Sequence, residues 1–103
     1  MITGKELKGM NKGIKYYVII NKKYECPEVN SDEKDFYSNV NGGFRFYDIP
    51  RLRIYTSDLD NINNNNLYEV EIQDDSMIFV KQFEFRANKY NIIKINKMNE
   101  FLF

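Results

Sequence analysis

The segment Tyr16–Ile20 is the most apolar run in the chain, and it limits what the chain can fold into. The run is short and rich in β-branched residues, and the residues that follow it are polar. A short, uninterrupted apolar segment of this kind is typical of a β-strand that is buried on both faces. It is too short to span a membrane or to form the apolar part of a signal peptide. We therefore predict a buried strand here and expect no membrane association.

Alternating apolar and polar residues predict further strands. In Leu67–Gln73, the apolar residues from Tyr68 to Ile72 alternate with Glu69 and Glu71, which we expect on the opposite, solvent-facing side. The other segments with strand character are Met77–Val80, Phe83–Ala87 and Tyr90–Ile95.

A turn and a strand are predicted where a pair of glycines precedes a run of aromatic residues. Gly42 and Gly43 can both adopt positive φ without a steric penalty, so they are suited to a turn. The strand Phe44–Tyr47 follows them. We expect its two phenylalanines on the buried face and Arg45 and Tyr47 on the other face.

One helix is predicted from Asp48 to Asp58. Asp48 is suited to the N-cap, and Pro50 falls in the first turn, where its missing N–H has no cost. Arg51 and Arg53 are expected on the solvent side of this helix. The apolar residues that recur at helical spacing are Ile49, Leu52, Tyr55 and Leu59.

These elements predict the fold class. The polar segment Asn61–Asn66 predicts a loop, and Asn99–Phe103 predicts an apolar C-terminal turn. We therefore predict one α+β domain over residues 1–103, with a mainly antiparallel sheet packed by one short helix and that C-terminal turn.

Charge and reactive side chains narrow the classes of function. Fifteen lysines and arginines balance fifteen aspartates and glutamates, so the chain has no net charge to attract nucleic acid or an anionic membrane. There is no histidine, and Cys26 is the single cysteine, which excludes an intramolecular disulfide and a Cys–His zinc site. We expect a reducing, cytoplasmic setting and no cofactor.

The nearest approach to a metal motif has EF-hand spacing, from Asp58 through Asp60 to Glu69. Its fifth position would be Ile62, which has no side-chain ligand, and its sixth would be Asn63 instead of glycine. Glu69 also belongs to a predicted strand, whereas the corresponding EF-hand glutamate begins a helix. We predict no metal site.

Glu69 and Glu71, separated by one residue, have the form of one element of the ADP-ribosyltransferases. In this alternative, Arg45 and Thr56-Ser57 would stand for the arginine and serine elements that precede it. The catalytic set would then be Glu71, Glu69, Arg45 and Ser57. The serine element is incomplete, and its spacing to the glutamates is short.

A structural role explains the two glutamates with fewer assumptions. On the solvent face of a half-buried strand they would form cross-strand ion pairs with Arg86 or Lys94. We therefore predict that the chain is not an enzyme, with the ADP-ribosyltransferase-like activity as the alternative.

Nucleic-acid binding is a second alternative. Tyrosines and lysines lie close together at Lys15–Tyr17 and at Lys22–Tyr24, as they do on surfaces that bind single-stranded nucleic acid. Packing within strands explains these tyrosines equally well.

Three segments from Gly42 onward resemble a known domain. They are GGFRFYD at Gly42–Asp48, LYEVEI at Leu67–Ile72 and RAN at Arg86–Asn88. In this order they are similar to the N-terminal domain of mimivirus-type ankyrin-repeat proteins of giant DNA viruses. The resemblance covers residues 42–95, and the chain shows no ankyrin repeat of its own.

The resemblance implies a protein-interaction or scaffolding module of a giant virus. Such a module would act beside a protein-binding repeat array in the host cytoplasm, and its partner would be a protein. We also expect a homodimer, because edge strands and a concentration of apolar residues favour self-association. The residues concerned are Phe83, Phe85, Tyr90, Ile93, Ile95, Phe101 and Phe103.

Overall fold

Seven strands and two helices form the part of the chain that the computed structural model describes, which is residues 1–21, 43–57 and 65–96. In chain order they are β1 (Ile2–Thr3), α1 (Gly4–Met10), β2 (Tyr16–Asn21), β3 (Phe44–Phe46), α2 (Ile49–Ser57), β4 (Asn65–Glu71), β5 (Met77–Val80), β6 (Phe85–Ala87) and β7 (Asn91–Asn96). Helices and antiparallel strands occur together, so the predicted α+β class is confirmed.

The strands are arranged in two antiparallel sheets. The first has the order β1-β5-β6-β3, and the second has the order β2-β4-β7. In the first sheet β1 pairs with β5, with Ile2 opposite Ile78. The two sheets meet where Tyr17 in β2 and Tyr47 just after β3 exchange two backbone hydrogen bonds of 2.8 Å each. This Tyr17–Tyr47 bridge connects the sheets.

The main core contains side chains from both sheets and from α1. Its aromatic centre is formed by Phe46 and Phe85, whose rings stack at 5.0 Å, and by Tyr16, which meets both rings edge-on. The fully packed members are Leu7, Tyr16, Val18, Phe46, Val70, Ile72, Ile78, Phe85, Ala87 and Tyr90.

A second core lies on the opposite face of β2, under α2. Neighbouring residues of a strand point to opposite faces, so Tyr16 and Val18 enter the main core while Tyr17 enters the second. The prediction that this strand is buried on both faces is therefore confirmed. The second core consists of Tyr17, Tyr47, Leu52 and Leu67, with Ile19, Ile49 and Tyr55 packed against it.

Helix α2 begins as the sequence predicted. The Asp48 carboxylate accepts a hydrogen bond of 3.1 Å from the Arg51 N–H, which is the interaction expected of an N-cap. Leu52 is completely buried in the second core. The helix therefore packs with the predicted face inward.

Arg51 differs from its predicted place on the solvent side of α2. Its Nη1 lies 2.7 Å from the Asp48 carboxylate, and its Nε donates to the Lys81 carbonyl at 3.2 Å. The guanidinium also lies over the Phe85 ring, 4.3 Å from its centroid. Arg51 is half-buried because it ties α2 to the connection between β5 and β6.

Helix α1 was missing from the prediction, which gave a single helix. The Glu6 N–H donates to Thr3 Oγ1 at 3.1 Å, and the Thr3 N–H donates to the Glu6 carboxylate at 3.3 Å. This reciprocal capping box begins the helix, and Leu7 attaches it to the main core. The spacing of Thr3 and Glu6 is the sequence signal that indicates it.

Three details of the predicted strands were wrong. Tyr47, expected on an exposed face, is buried because α2 covers it. Asn65 and Asn66, expected in a loop, begin β4, where their pairing with β2 outweighs the weak strand preference of asparagine. Phe83 and Glu84, expected in a strand, precede β6 in a turn closed by a hydrogen bond from the Lys81 N–H to the Glu84 carbonyl.

Several predictions concern residues outside the described ranges. They are the loop from 61 to 64, the helix end at Asp58 and Leu59, the cysteine at position 26 and the C-terminal turn Asn99–Phe103. Within the described ranges, neither helix has the length and apolar character needed to cross a bilayer.

Two glycines of α1 provide a matched stability test. A methyl group at Gly4 would overlap the Gln73 carbonyl oxygen, whereas one at Gly9 would meet no atom within 4 Å. We expect Gly4→Ala to lower the free energy of unfolding by about 1–3 kcal/mol, as overpacking does. Gly9→Ala should raise it by up to about 1 kcal/mol, because alanine is the better helix former. Urea unfolding of both variants checks this, and equal effects would contradict the packing described for α1.

Candidate functional site

An open groove of about 290 Å³ lies between α2, the end of β3 and the turn at residues 81–84. We call it the aromatic groove. The residues that line it are Arg45, Tyr47, Ile54, Tyr55, Phe83 and Glu84.

The floor of the aromatic groove is a pair of tyrosines. The rings of Tyr47 and Tyr55 stack with their centroids 4.9 Å apart. Tyr47 is held by its backbone bridge to Tyr17, and Tyr55 by its position on α2. Burial is the main cause that raises the pKa of Tyr47 to about 12, with smaller contributions from Tyr55 and the Glu84 carboxylate. The Tyr47 hydroxyl is therefore uncharged at neutral pH.

The apolar walls of the groove are Ile54 and Phe83. Ile54 is 48% exposed and Phe83 is 55% exposed, although both side chains are large and apolar. The tight turn closed between Lys81 and Glu84 projects Phe83 away from the main core. These two side chains therefore present apolar surface to solvent on both sides of the tyrosine pair.

The charged end of the groove is lined by Arg45 and Glu84, and the Glu84 carboxylate also contacts the buried Arg86. Arg86 Nε lies 2.9 Å from Glu84 Oε2, and Arg45 Nε lies 3.4 Å from the same oxygen. The two arginines are paired residues of β3 and β6, which explains why both reach Glu84. The Arg86 side chain is buried, whereas that of Arg45 is 56% exposed.

A second groove, of about 350 Å³, lies between the 11–15 segment and the start of α2. Its polar groups already have partners. Asp48 caps α2 and pairs with Arg51, and Lys15 lies 3.7 Å from Glu69. This groove is slightly larger, but one exposed large apolar side chain lines it, that of Ile14, whereas two such side chains line the aromatic groove.

Glu69 does not lie on a solvent face, so this part of the prediction was wrong. It is only 8% exposed, with Oε1 3.7 Å from Lys15 Nζ and 3.8 Å from Lys94 Nζ. Glu69 lies on the same face of β4 as Leu67, which packs in the second core beneath α2, and the Lys15 and Lys94 side chains lie beside its carboxylate. Alternation identified the two faces of β4 correctly, but it did not indicate that a helix covers one of them.

The remaining predictions for β4 are mixed. Glu71 is exposed, as predicted. Lys94 is the cross-strand neighbour of Glu69, whereas Arg86 belongs to the other sheet and pairs with Glu84.

The four residues of the ADP-ribosyltransferase alternative lie on three separate elements. Glu69 and Glu71 share β4, Arg45 is in β3, and Ser57 is the last residue of α2. The Ser57 hydroxyl donates to the Ile54 carbonyl at 2.7 Å, and Arg45 contacts Glu84. The contacts described for these side chains do not join the arginine or the serine to either glutamate.

The tyrosines considered for nucleic-acid binding are core residues where the structure describes them. Tyr16 and Tyr17 are both buried, so their rings are not available to stack on bases. The segment Lys22–Tyr24 lies outside the described ranges. Among the described residues, no group of three or more His, Cys, Asp or Glu side chains is placed to hold a metal ion.

Comparison of this chain with protein-family models, with curated proteins and with solved structures found no match.

Most of the aromatic groove was missed in the sequence. Ile54 had no predicted role, Tyr55 was predicted as a core position of the helix, and Phe83 and Glu84 were predicted in a strand. Phe83 was also among the apolar residues expected to favour self-association. Arg45 was considered only as a catalytic group. A phenylalanine in a tight turn, flanked by polar Gln82 and Glu84, is the signal that could have indicated an exposed aromatic residue.

The exposed position of Glu71 leads to a test of the enzyme alternative. We expect Glu71→Gln to change the free energy of unfolding by at most about 0.2–1 kcal/mol, the range for one cross-strand pair. We also expect calorimetry to detect no binding of NAD to the unmodified chain. Saturable NAD binding that is lost in Glu71→Gln but kept in Asp74→Asn, which removes another exposed carboxylate, would instead support the transferase.

Proposed function

We propose that this chain is a protein-interaction or scaffolding module that binds a partner protein through the aromatic groove. The observation that carries the proposal is the exposure of Phe83 and Ile54 on both sides of the stacked tyrosines. Aromatic side chains and arginine, gathered around a small pocket, are the groups that contribute most to protein interfaces. Complete burial of a side chain such as Phe83 contributes up to about 1.5–3 kcal/mol.

The chemistry of the groove supports binding over catalysis. A tyrosine with a pKa of about 12 is a poor general base at neutral pH. Arginine stays protonated in proteins, and the Glu84 carboxylate already contacts two guanidinium groups. The groove therefore offers apolar contact and positive charge, with no group suited to proton transfer near pH 7.

The resemblance to the N-terminal domain of mimivirus-type ankyrin-repeat proteins supports the same proposal. Two of the three resembling segments contribute to the surroundings of the groove: Gly42–Asp48 contains Arg45 and Tyr47, and Arg86–Asn88 contains the arginine that contacts Glu84. In a giant virus the module would act in the host cytoplasm, where its partner would be a protein.

The proposal is tested by affinity purification from host cells with the tagged chain and two matched variants. Phe83→Ser removes an exposed apolar side chain from the groove, and Met10→Ser removes one from α1. We expect a protein that is recovered with the unmodified chain and with Met10→Ser but lost with Phe83→Ser. Both variants should melt within a few degrees of the unmodified chain, because neither side chain is in a core. If every recovered protein is independent of Phe83, the proposal is wrong.

We further propose that the chain forms a homodimer. Phe85 and Tyr90 do not take part, because both are buried in the main core. Ile93 and Ile95 are exposed on β7, which is the last strand in the order of the second sheet. Light scattering at micromolar concentration should give twice the 12.4 kDa mass of the chain, and Ile95→Lys should reduce it. A mass near 12.4 kDa for the unmodified chain would contradict self-association.

A further inference from the structure

We infer that the aromatic groove binds an extended acidic segment, in which a large apolar side chain is followed or preceded by a carboxylate. This inference rests on the proposed function, and it specifies the chemistry of the partner. The inference follows from two observations. Glu84 lies closer to Arg86 than to Arg45, and the groove has room for one large side chain.

Arg45 is the group that would bind the carboxylate. Glu84 lies closer to Arg86, at 2.9 Å in largely buried surroundings, than to Arg45, at 3.4 Å. The Arg45 side chain is 56% exposed and its contact with Glu84 is the longer of the two, so solvent screens this ion pair more than it screens the pair with Arg86. The planar guanidinium of Arg45 has five N–H donors and can bind an incoming carboxylate in a bidentate manner.

The apolar part of the groove would bind one large side chain. Its volume of about 290 Å³ is at the lower limit of the roughly 300–1,000 Å³ that pockets for drug-sized ligands occupy. The tyrosine pair forms a flat aromatic floor, and Ile54 and Phe83 form two apolar walls. A leucine or phenylalanine side chain fits this arrangement better than a whole cofactor does.

A protein segment agrees with these charges better than a nucleic acid does. The Glu84 carboxylate lines the groove beside Arg45, so the repeated phosphates of a nucleic acid would meet more repulsion there than a single carboxylate would. The chain also has no net charge that would attract a polyanion from a distance. A single carboxylate beside an apolar side chain requires one positive group, and Arg45 supplies it.

Fluorescence anisotropy with short labelled peptides tests this inference. The first peptide carries leucine and phenylalanine flanked by aspartates, the second has lysines in place of the aspartates, and the third has serines in place of the apolar residues. A labelled thymidine oligonucleotide is the nucleic-acid probe. We expect saturable binding of the first peptide alone.

Charge reversal at Arg45 gives the decisive comparison. Arg45→Glu should lower the affinity for the acidic peptide about tenfold or more, because hydrogen bonds between charged groups are stronger than those between neutral groups. The same variant should bind the lysine peptide. Arg53→Glu makes the same charge change at an exposed position of α2 that does not line the groove, and it should leave both affinities nearly unchanged. Arg45→Gln provides a milder variant if the reversal unfolds the chain.

Several outcomes would overturn the inference. One is equal affinity for the acidic and lysine peptides, and another is an equal loss of affinity for the acidic peptide in the Arg45→Glu and Arg53→Glu variants. The others are tighter binding of the oligonucleotide than of the acidic peptide, and no peptide binding at all. The last result, together with a cellular partner that still depends on Phe83, would reject the acidic segment and retain the interaction module. If no partner depends on Phe83 either, the proposed function fails as well.

Discussion

The two backbone hydrogen bonds between Tyr17 and Tyr47 are the constraint on which the rest of the structure depends. They hold the end of β3 against β2, so the two sheets enclose the main core between them. They also set the position of Asp48, the next residue, which caps α2. Helix α2 can then cover the outer face of β2 and create the second core. Tyr47, one of the two tyrosines that form the floor of the aromatic groove, belongs to this same bridge.

Arg51 links α2 to the first sheet. Because its guanidinium contacts Asp48, the Lys81 carbonyl and the Phe85 ring, it fixes α2 relative to the turn that carries Phe83. A charge-assisted hydrogen bond combined with a cation–π contact is directional, so it limits sliding of the helix. The opposite walls of the groove, Ile54 and Phe83, therefore belong to elements that Arg51 holds together.

Local patterns in the sequence were sufficient to predict most strands and helices, but not to predict which of their side chains are buried. Alternation and β-branched residues indicated β2 and β4, and Asp48 with Pro50 indicated the start of α2, because these signals arise within a few residues. Helix α1 was missed because a helix of seven residues whose buried side is only Gly4 and Leu7 gives almost no apolar periodicity. The burial of Glu69 could not be predicted, because it depends on where a distant helix packs.

The candidate site was beyond prediction for the same reason. The aromatic groove combines Arg45, Tyr55 and Phe83, which are separated along the chain and meet only after the sheets and α2 have packed. The ADP-ribosyltransferase alternative placed Arg45 and Glu71 in one catalytic set, whereas in the structure Arg45 contacts Glu84 and Glu71 is exposed on β4. Residues close in sequence determine strands and helices, whereas the aromatic groove depends on contacts between residues that are distant in sequence.

The pairing of β1 with β5 has a consequence for the order of folding. Ile2 lies opposite Ile78, and the Gly4 and Lys5 N–H groups donate to the Ser76 and Asp74 carbonyls at the turn before β5. Contacts between residues so far apart in sequence form slowly, because a long loop must close first. During synthesis on a ribosome, β1 and the start of α1 therefore cannot reach their native partners until Met77–Val80 has emerged. Until then β1 has no native strand to pair with, so its backbone N–H and C=O groups are open to mispairing during this interval.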